Sequence, residues 1–434
     1  MTAIMLTAFT LLVALLASGV WVGLGLAGVG IVSLETFRGF MPVEKLLAQT
    51  VWNTATSAEL VALPLFILMG ELLFRSRLTQ LLFDGLAPWV DRIPGRLLHT
   101  NVLGCTLFAA ISGSSAATTA TVGRITSNEL MRRGYDARIA AGSLAGAGTL
   151  GFLIPPSTIM IIYGVLAQVS ILKMFIAGIV PGLLLALAFM SYLGVYALSR
   201  PGQLPPRQRG LKWQDYLRAL AQLGPVALLI AFVIGSMLIG MATPTEAGAV
   251  GVLGALIVCV LQRCLNWKSL WSALMGAAQI TSMIGLIIVG AMFLSVAMGF
   301  LNVPRTIADA IGSLGLSPLA LVAMLLVFYV MLGMLLEGMS IIVMTLPITL
   351  PLIIQAGFDP IWFGVFLVLV VEMAQITPPV GFNLFVINGI TGMKIGQIAR
   401  AVLPFFLIMV AFTLLLALVP EIVTWLPDHL QTRG

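Results

Sequence analysis

Residues 148–164 read GTLGFLIPPSTIMIIYG, an apolar run that looks long enough to belong to a membrane crossing yet carries the adjacent prolines Pro155 and Pro156. A proline removes a backbone donor and its ring clashes with the preceding turn, while the nearby glycines relax the backbone. A helix entering this stretch is therefore expected to break and to leave carbonyl oxygens without helical partners. Residues 375–383, QITPPVGFN, have the same character around Pro378 and Pro379.

The rest of the chain explains where such breaks sit. Hydrophobic residues make up 60% of the 434 positions and charged residues only 9%, with a mean hydropathy of +1.11. A soluble chain needs a more polar surface than that, so this is a polytopic membrane protein. Continuous apolar runs of about 20 residues mark helices rather than the alternating segments of a barrel, and the fold class is all-α. The net charge of +6 comes from basic residues scattered between apolar runs, as membrane topology requires, which argues against a nucleic-acid partner. Cys105, Cys259 and Cys264 form neither a disulfide framework nor a zinc pattern and read as packing residues. The run at 4–33 has no preceding basic region and is too long for a cleaved signal, so it reads as one retained first span.

Further apolar runs fall at 52–74, 97–131, 138–168, 174–198, 224–240, 246–262, 272–300, 317–355, 360–390 and 402–424. Those at 97–131 and 317–355 are too long for single spans and carry polar centres, residues 112–115 (SGSS) and 337–340 (EGMS). Each reads as two spans or as a re-entrant hairpin whose tip stops inside the bilayer. Three landmarks repeat: Gly134, Pro155 and Pro181 recur as Gly357, Pro378 and Pro404, each 223 residues later. The halves, about 1–200 and 246–424, are joined by a basic segment and an additional span at 224–240. With both polar-centred segments as hairpins, one topology places 16 basic residues inside and five outside, with Arg124 buried in the first hairpin. It puts the N-terminus in the cytoplasm and the C-terminus in the periplasm, and the added span inverts the second repeat.

At about 1.5 Å per residue, the arm 97–112 extends about 24 Å, which carries its tip to the middle of a core about 30 Å thick. Both proline breaks fall at the same depth. In transporters, unwound carbonyls and half-helix C-termini coordinate sodium or protons, and half-helix N-termini face anionic substrates. Ser112, Ser114, Ser115, Thr149, Ser340, Thr377 and Asn383 add neutral oxygens suited to a hard cation.

These residues resemble a family, the large membrane subunit of tripartite ATP-independent periplasmic (TRAP) transporters, within the wider ion transporter superfamily. The resemblance rests on ISGSSAATTATVG (111–123), RRGYDARIAAG (132–142), residues 148–164, ATPTEAGAV (242–250) and GFDPIWFGVFLVLVVEMAQITPPVGFNLFVING (357–389). It implies an elevator-type sodium-coupled importer of a small organic anion, a carboxylate, in a bacterial inner membrane. It also implies a separate small membrane subunit and an extracytoplasmic substrate-binding protein as partners, with Na+ as coupling ion, no other cofactor and no enzymatic activity. Sodium candidates are Ser112, Gly113, Ser114, Ser115, Thr149, Gly151, Pro155, Glu337, Gly338, Ser340, Thr377, Pro378 and Asn383. Substrate candidates are Arg124, Ser115, Pro156, Pro379 and Asn383. The implied units are scaffold at 1–96, a first transport unit at 97–173, scaffold, linker and extra span at 174–271, scaffold at 272–316, a second transport unit at 317–400 and a last span with tail at 401–434. Ala374 stands where the family usually has glycine, Glu337 where it often has aspartate, and Arg124 is unusual.

The roles of Arg124 and Glu372 stay open: substrate contact or local pairing for the first, site member or structural hydrogen bond for the second. Residues 243–246 (TPTE) read as a helix start. A primary pump would need a phosphate-binding glycine loop and an intramembrane protease a Ser/His, zinc or paired-Asp constellation, and the sequence has neither. A passive anion or cation channel subunit is the alternative function, since polar hairpins also build filters. The repeat favours alternating access.

Overall fold

The computed structural model describes residues 2–39, 42–76, 78–200, 202, 204–205, 212–312, 315–334 and 336–431, and all regular elements among them are helical. Arg77, Arg207, Arg209 and Arg433, used in the charge count, lie outside the described residues. The first half comprises α1 (Thr2–Ala17), α2 (Val22–Phe37), α3 (Val43–Ala55), α4 (Ala62–Phe74), α5 (Leu78–Val90), α6 (His99–Ser112), α7 (Ser115–Arg132), α8 (Ala137–Gly148), α9 (Thr158–Ala167) and α10 (Ile171–Ser199). The second comprises α11 (Trp213–Leu238), α12 (Pro244–Leu261), α13 (Trp267–Phe300), α14 (Val303–Gly312), α15 (Pro318–Gly333), α16 (Gly338–Gln355), α17 (Pro360–Gln375), α18 (Phe382–Thr391) and α19 (Ile395–Leu418), with α20 (Glu421–Gln431) beyond it.

A shift of 223 residues lays α7 on α16 end to end and α2 over α12, α5 over α14 and α9 over α18. The repeat therefore reaches further than its proline landmarks, and two expectations change. The run at 4–33 is not one span: Gly19, at φ +78°, turns the chain between α1 and α2, and α1 folds back so that Leu15 meets Gly28. Nor is the span at 224–240 an addition between halves, because α11 is the counterpart of α1. Five units of the first half, α1, α2, the α3–α4 pair, the broken α8–α9 and α10, are matched in the second by α11, α12, α13, α17–α18 and α19. An odd number of crossings inverts the second half. The cytoplasmic N-terminus was drawn from a single first span, which α1 and α2 do not form.

Six single helices are long and apolar enough to cross a membrane, and the α3–α4 pair, bent by 50°, is a seventh candidate. α16 is among the six, but a short turn joins it to α15, against which it packs. In hydrocarbon, helices associate by close packing and hydrogen bonds rather than by hiding apolar surface from water. Small residues serve that end at the α2–α13 crossing, where a Cβ on Gly290 would lie 2.0 Å from the Gly23 carbonyl oxygen. Helix starts follow the sequence: Asp136 caps α8, Asp359 caps α17, and Thr243 and Glu246 close a capping box on α12. Cys105 and Cys259 are buried thiols, as their packing role requires.

The innermost element is α17, whose residues 362–375 are all buried. It packs against α15 and α16 of its own hairpin, against α9 and α10 of the first half, and against α19. It thus brings the second break to the first.

Candidate functional site

The first hairpin turns on two residues. Gly113 ends α6 in the left-handed region, at φ +56°, and Ser114 caps α7 by accepting from the Ala117 amide at 3.4 Å. Ser112 Oγ lies 2.8 Å from Thr118 Oγ1 across the turn. The tip is held to the first break: the Gly113 carbonyl accepts from Thr158 N at 3.3 Å and Thr158 Oγ1 at 2.9 Å. A Cβ at Gly113 would lie 2.7 Å from the Pro156 carbonyl oxygen, and one at Gly151 would lie 2.5 Å from Ser115 Cα. Both glycines therefore permit backbone to meet backbone. Residues 148–160, with Thr149, Pro155 and Pro156 among them, are all buried. Thr149 Oγ1 donates to Gly146 O at 2.6 Å and lies 3.5 Å from Met409 Sδ. Both Pro-Pro bonds, 155–156 and 378–379, are cis.

Ser115 is the centre of this arrangement. Its hydroxyl lies 2.7 Å from Glu372 Oε2 and 3.1 Å from the Gly148 carbonyl oxygen, and it accepts from Asn383 Nδ2 at 2.8 Å. The other carboxylate oxygen, Glu372 Oε1, accepts from the Phe152 amide at 2.9 Å. Ser115, Glu372 and Asn383 are each 0% exposed. Hairpin one, break one, the helix before break two and the helix after it therefore meet at a single buried junction. Asn383 Oδ1 has no hydrogen-bond partner there.

The second hairpin is built on the same plan with other chemistry. Glu337 occupies the position of Ser114 in the repeat and caps α16, its Oε2 accepting from Met339 N at 3.1 Å and Ser340 N at 3.3 Å. A backbone bond from Val380 N to Met334 O, 3.3 Å, again ties the hairpin to the residues after the prolines. Gly338 faces Val371 and Gln375, and the Ala374 methyl lies against Gly333, where a Cβ would be 2.0 Å away. Thr377 Oγ1 donates to Met373 O at 2.6 Å. Unlike the first break, the second is open: Thr377 is half-buried and Pro378, Pro379 and Val380 are exposed. Ser340 is buried within α16.

The structure thus brings together Ser112, Gly113, Ser114, Ser115, Gly151, Pro156 and Asn383, and holds Glu337, Gly338, Ser340 and Thr377 around the second turn and break. Arg124 does not join them. It is exposed on α7 rather than buried in the hairpin, two to three turns from the tip. The ion pairs among the described residues join Arg75 to Glu71 and Arg132 and Arg133 to Glu129, so no such pair reaches the junction. Thr158, the Phe152 amide and the Gly148 carbonyl escaped sequence reasoning because two are backbone groups and the third is one of many threonines. Glu372 carried a signal, an acid at mid-depth.

A hard cation takes oxygen ligands, and the junction offers Ser115 Oγ, the Gly148 carbonyl, Asn383 Oδ1 and the Glu372 carboxylate. The unpartnered Oδ1 is the observation that fits a sodium ion here. Residues 9–422 match the family described as "Tripartite ATP-independent periplasmic transporter, DctM component". The chain is 35% identical over 385 residues, 88% of its length and 90% of the relative's, to the C4-dicarboxylate TRAP transporter large permease protein DctM of Pseudomonas aeruginosa. It is 31% identical over 383 residues, 87% of its length and 89% of the relative's, to the 2,3-diketo-L-gulonate TRAP transporter large permease protein YiaN of Escherichia coli. Its fold matches the crystal structure of the Alcanivorax borkumensis YdaH transporter with a TM-score of 0.67, at 14% identity and 91% coverage of both chains. With its two inverted hairpin-and-break units and a family match across nearly its whole length, the chain belongs to the DctM family of large membrane components of tripartite ATP-independent periplasmic transporters.

Proposed function

We propose that this chain imports a small organic anion, a carboxylate, across a bacterial inner membrane, driven by an inward sodium gradient. The anion arrives on an extracytoplasmic substrate-binding protein, and a small membrane subunit completes the complex. The buried Ser115–Glu372–Asn383 junction carries this reading, because it fastens the two hairpin-and-break units into one body. Residues 97–173 and 317–400 then move together past a scaffold of residues 1–96, 174–271, 272–316 and 401–434, an elevator form of alternating access. The chain carries no chemical reaction of its own.

Sodium would be held at the first hairpin by Ser112, Gly113, Ser114, Ser115, Thr149, Gly151, Pro155 and Asn383, and at the second by Glu337, Gly338, Ser340, Thr377 and Pro378. An ion there supplies positive charge at the two breaks, where the half-helix N-terminus of α9 and that of α18 face the same depth. The residues themselves hold the hairpin tips against the breaks and exclude water from the first. Substrate contact is assigned to Ser115, Asn383, Pro156 and the open face at Pro379. Arg124, exposed on α7, is a candidate for drawing a carboxylate towards that face. With ten crossings and the basic loops inside, both termini lie in the periplasm.

Reconstituted in liposomes with its two partners, the complex is expected to accumulate carboxylate only under an inward sodium gradient. Uptake that survives collapse of that gradient would refute coupling. A cysteine cross-link between hairpin and scaffold separates transporter from channel, since flux through a fixed pore would continue while an elevator stalls.

A further inference from the structure

Glu372 is a carboxylate with 0% exposure, and no ion pair among the described residues reaches it. Isolated buried charges are costly unless they are paired or ligated. Its two oxygens accept one hydrogen bond each, from Ser115 Oγ at 2.7 Å and Phe152 N at 2.9 Å. The surroundings are short of donors rather than acceptors. The single Ser115 proton has two acceptors within reach, Glu372 Oε2 and the Gly148 carbonyl at 3.1 Å. Asn383 spends its amide on Ser115 while its own Oδ1 has no partner. A carboxyl group, a backbone carbonyl, a hydroxyl and an amide side chain thus gather at one buried point, and oxygens gathered in this way are what a positive ion satisfies.

We propose that Glu372 supplies the negative charge of the cation site at the first hairpin, balancing a sodium ion held by Ser115, Asn383 and the Gly148 carbonyl. The role rests on the sodium-coupled reading above and adds to it a charged member in a site otherwise made of neutral oxygens. It also makes the site a property of both halves. Glu372 lies on α17 of the second repeat, Ser115 on the first hairpin, and the repeat places Thr149, a neutral residue, where Glu372 stands 223 positions later. Ion binding at this point would draw α17 and the first hairpin together through the carboxylate.

The test is sodium binding to the purified full chain, read by radiolabelled sodium and by the rise in melting temperature when sodium chloride replaces choline chloride. Wild type is expected to bind saturably and to be stabilised by sodium. Glu372→Gln keeps the shape, removes the charge and weakens binding by at least about tenfold; in choline it melts no lower than wild type. Glu372→Asp keeps the charge at a shorter reach and retains binding within a few-fold even where its hydrogen bonds suffer, so it serves where the Gln variant fails to fold. A Gln variant that melts lower in choline yet binds sodium like wild type, or an Asp variant that binds as poorly as Gln, makes Glu372 a hydrogen-bond acceptor only and overturns its role while sodium binding stands. Wild type that binds no sodium overturns the sodium reading and the role of Glu372 with it.

Discussion

Gly151→Ala probes the junction without altering any of its polar side chains. A methyl there would stand 2.5 Å from Ser115 Cα, 2.8 Å from Ser115 N and 2.9 Å from Ser114 O. Carbon atoms rest about 3.5–4.0 Å apart, and backbone cannot swing aside as a side chain does. The hairpin tip must therefore retreat by about 1 Å. Ser115 Oγ, now 2.7 Å from Glu372 Oε2, would then stand at about 3.7 Å, beyond hydrogen-bond reach. A lost hydrogen bond to a charged group costs about 1.5–3 kcal/mol, and overpacking adds about 1–3 kcal/mol. The total, about 2.5–6 kcal/mol, is a large share of a typical folding free energy.

Thermal unfolding of the purified chain with and without sodium chloride measures both consequences. Gly151→Ala is expected to melt below wild type and to lose most of any sodium-dependent stabilisation. Gly285→Ala, where an added Cβ meets nothing within 4 Å, is the control and should behave as wild type in both respects. If Gly151→Ala melts lower but keeps the full sodium response, the close approach of hairpin and break is a packing feature with no bearing on the ion. If it melts like wild type, the backbone contact itself is refuted.

Gly290→Ala should prevent stable assembly, because its Cβ would fall 2.0 Å from Gly23 O at the α2–α13 crossing; fluorescence-detected size exclusion checks this, and a monodisperse variant in normal yield would contradict it. Thr243→Ala removes the cap that accepts from Glu246 N at 3.3 Å and should cost about 0.5–2 kcal/mol of stability with no change in transport, so an altered sodium dependence would disprove a purely structural cap. A thiol at Ser18, in the turn between α1 and α2, should react with an impermeant maleimide only from the cytoplasmic face; labelling from outside would return the N-terminus to the cytoplasm.

The sequence made the breaks, the hairpins and the repeat legible because each depends on residues that leave little choice of backbone. Pro155 and Pro156 cannot donate within a helix, Gly113 permits the left-handed turn, and Asp136 and Asp359 announce helix starts. The α1–α2 turn was hidden for the converse reason. Gly19 and its neighbours form a short break in a run whose composition stays apolar on both sides, so hydropathy alone fuses two short helices into one long span. Arg124 was placed inside the hairpin from its position in α7, since sequence gives depth along a helix but not the direction of one side chain around it. The junction was partly readable: Ser115 and Asn383 belonged to polar motifs, whereas their meeting depends on how α17 packs against the first half.

That packing shows what the duplication has and has not kept. Backbone devices recur at matching places: a cap at Ser114 and Glu337, and a bond from beyond each proline pair to its hairpin tip, through Thr158 and through Val380. The side chains that meet at the centre do not recur. Ser115 answers to Gly338, Glu372 to Thr149 and Asn383 to Met160. A symmetric pair of sites would need Ser, Glu and Asn in both halves, but α17 delivers Glu372 into the first hairpin's site and the second has no equivalent acid from α8. The same asymmetry appears in accessibility, with the first break buried and the second exposed at Pro378 to Val380. A repeated backbone can supply two equivalent end states for a moving unit. A single hydrogen-bonded junction, shared between the repeats, then gives both hairpins one common point of control, and a change there must be felt by both.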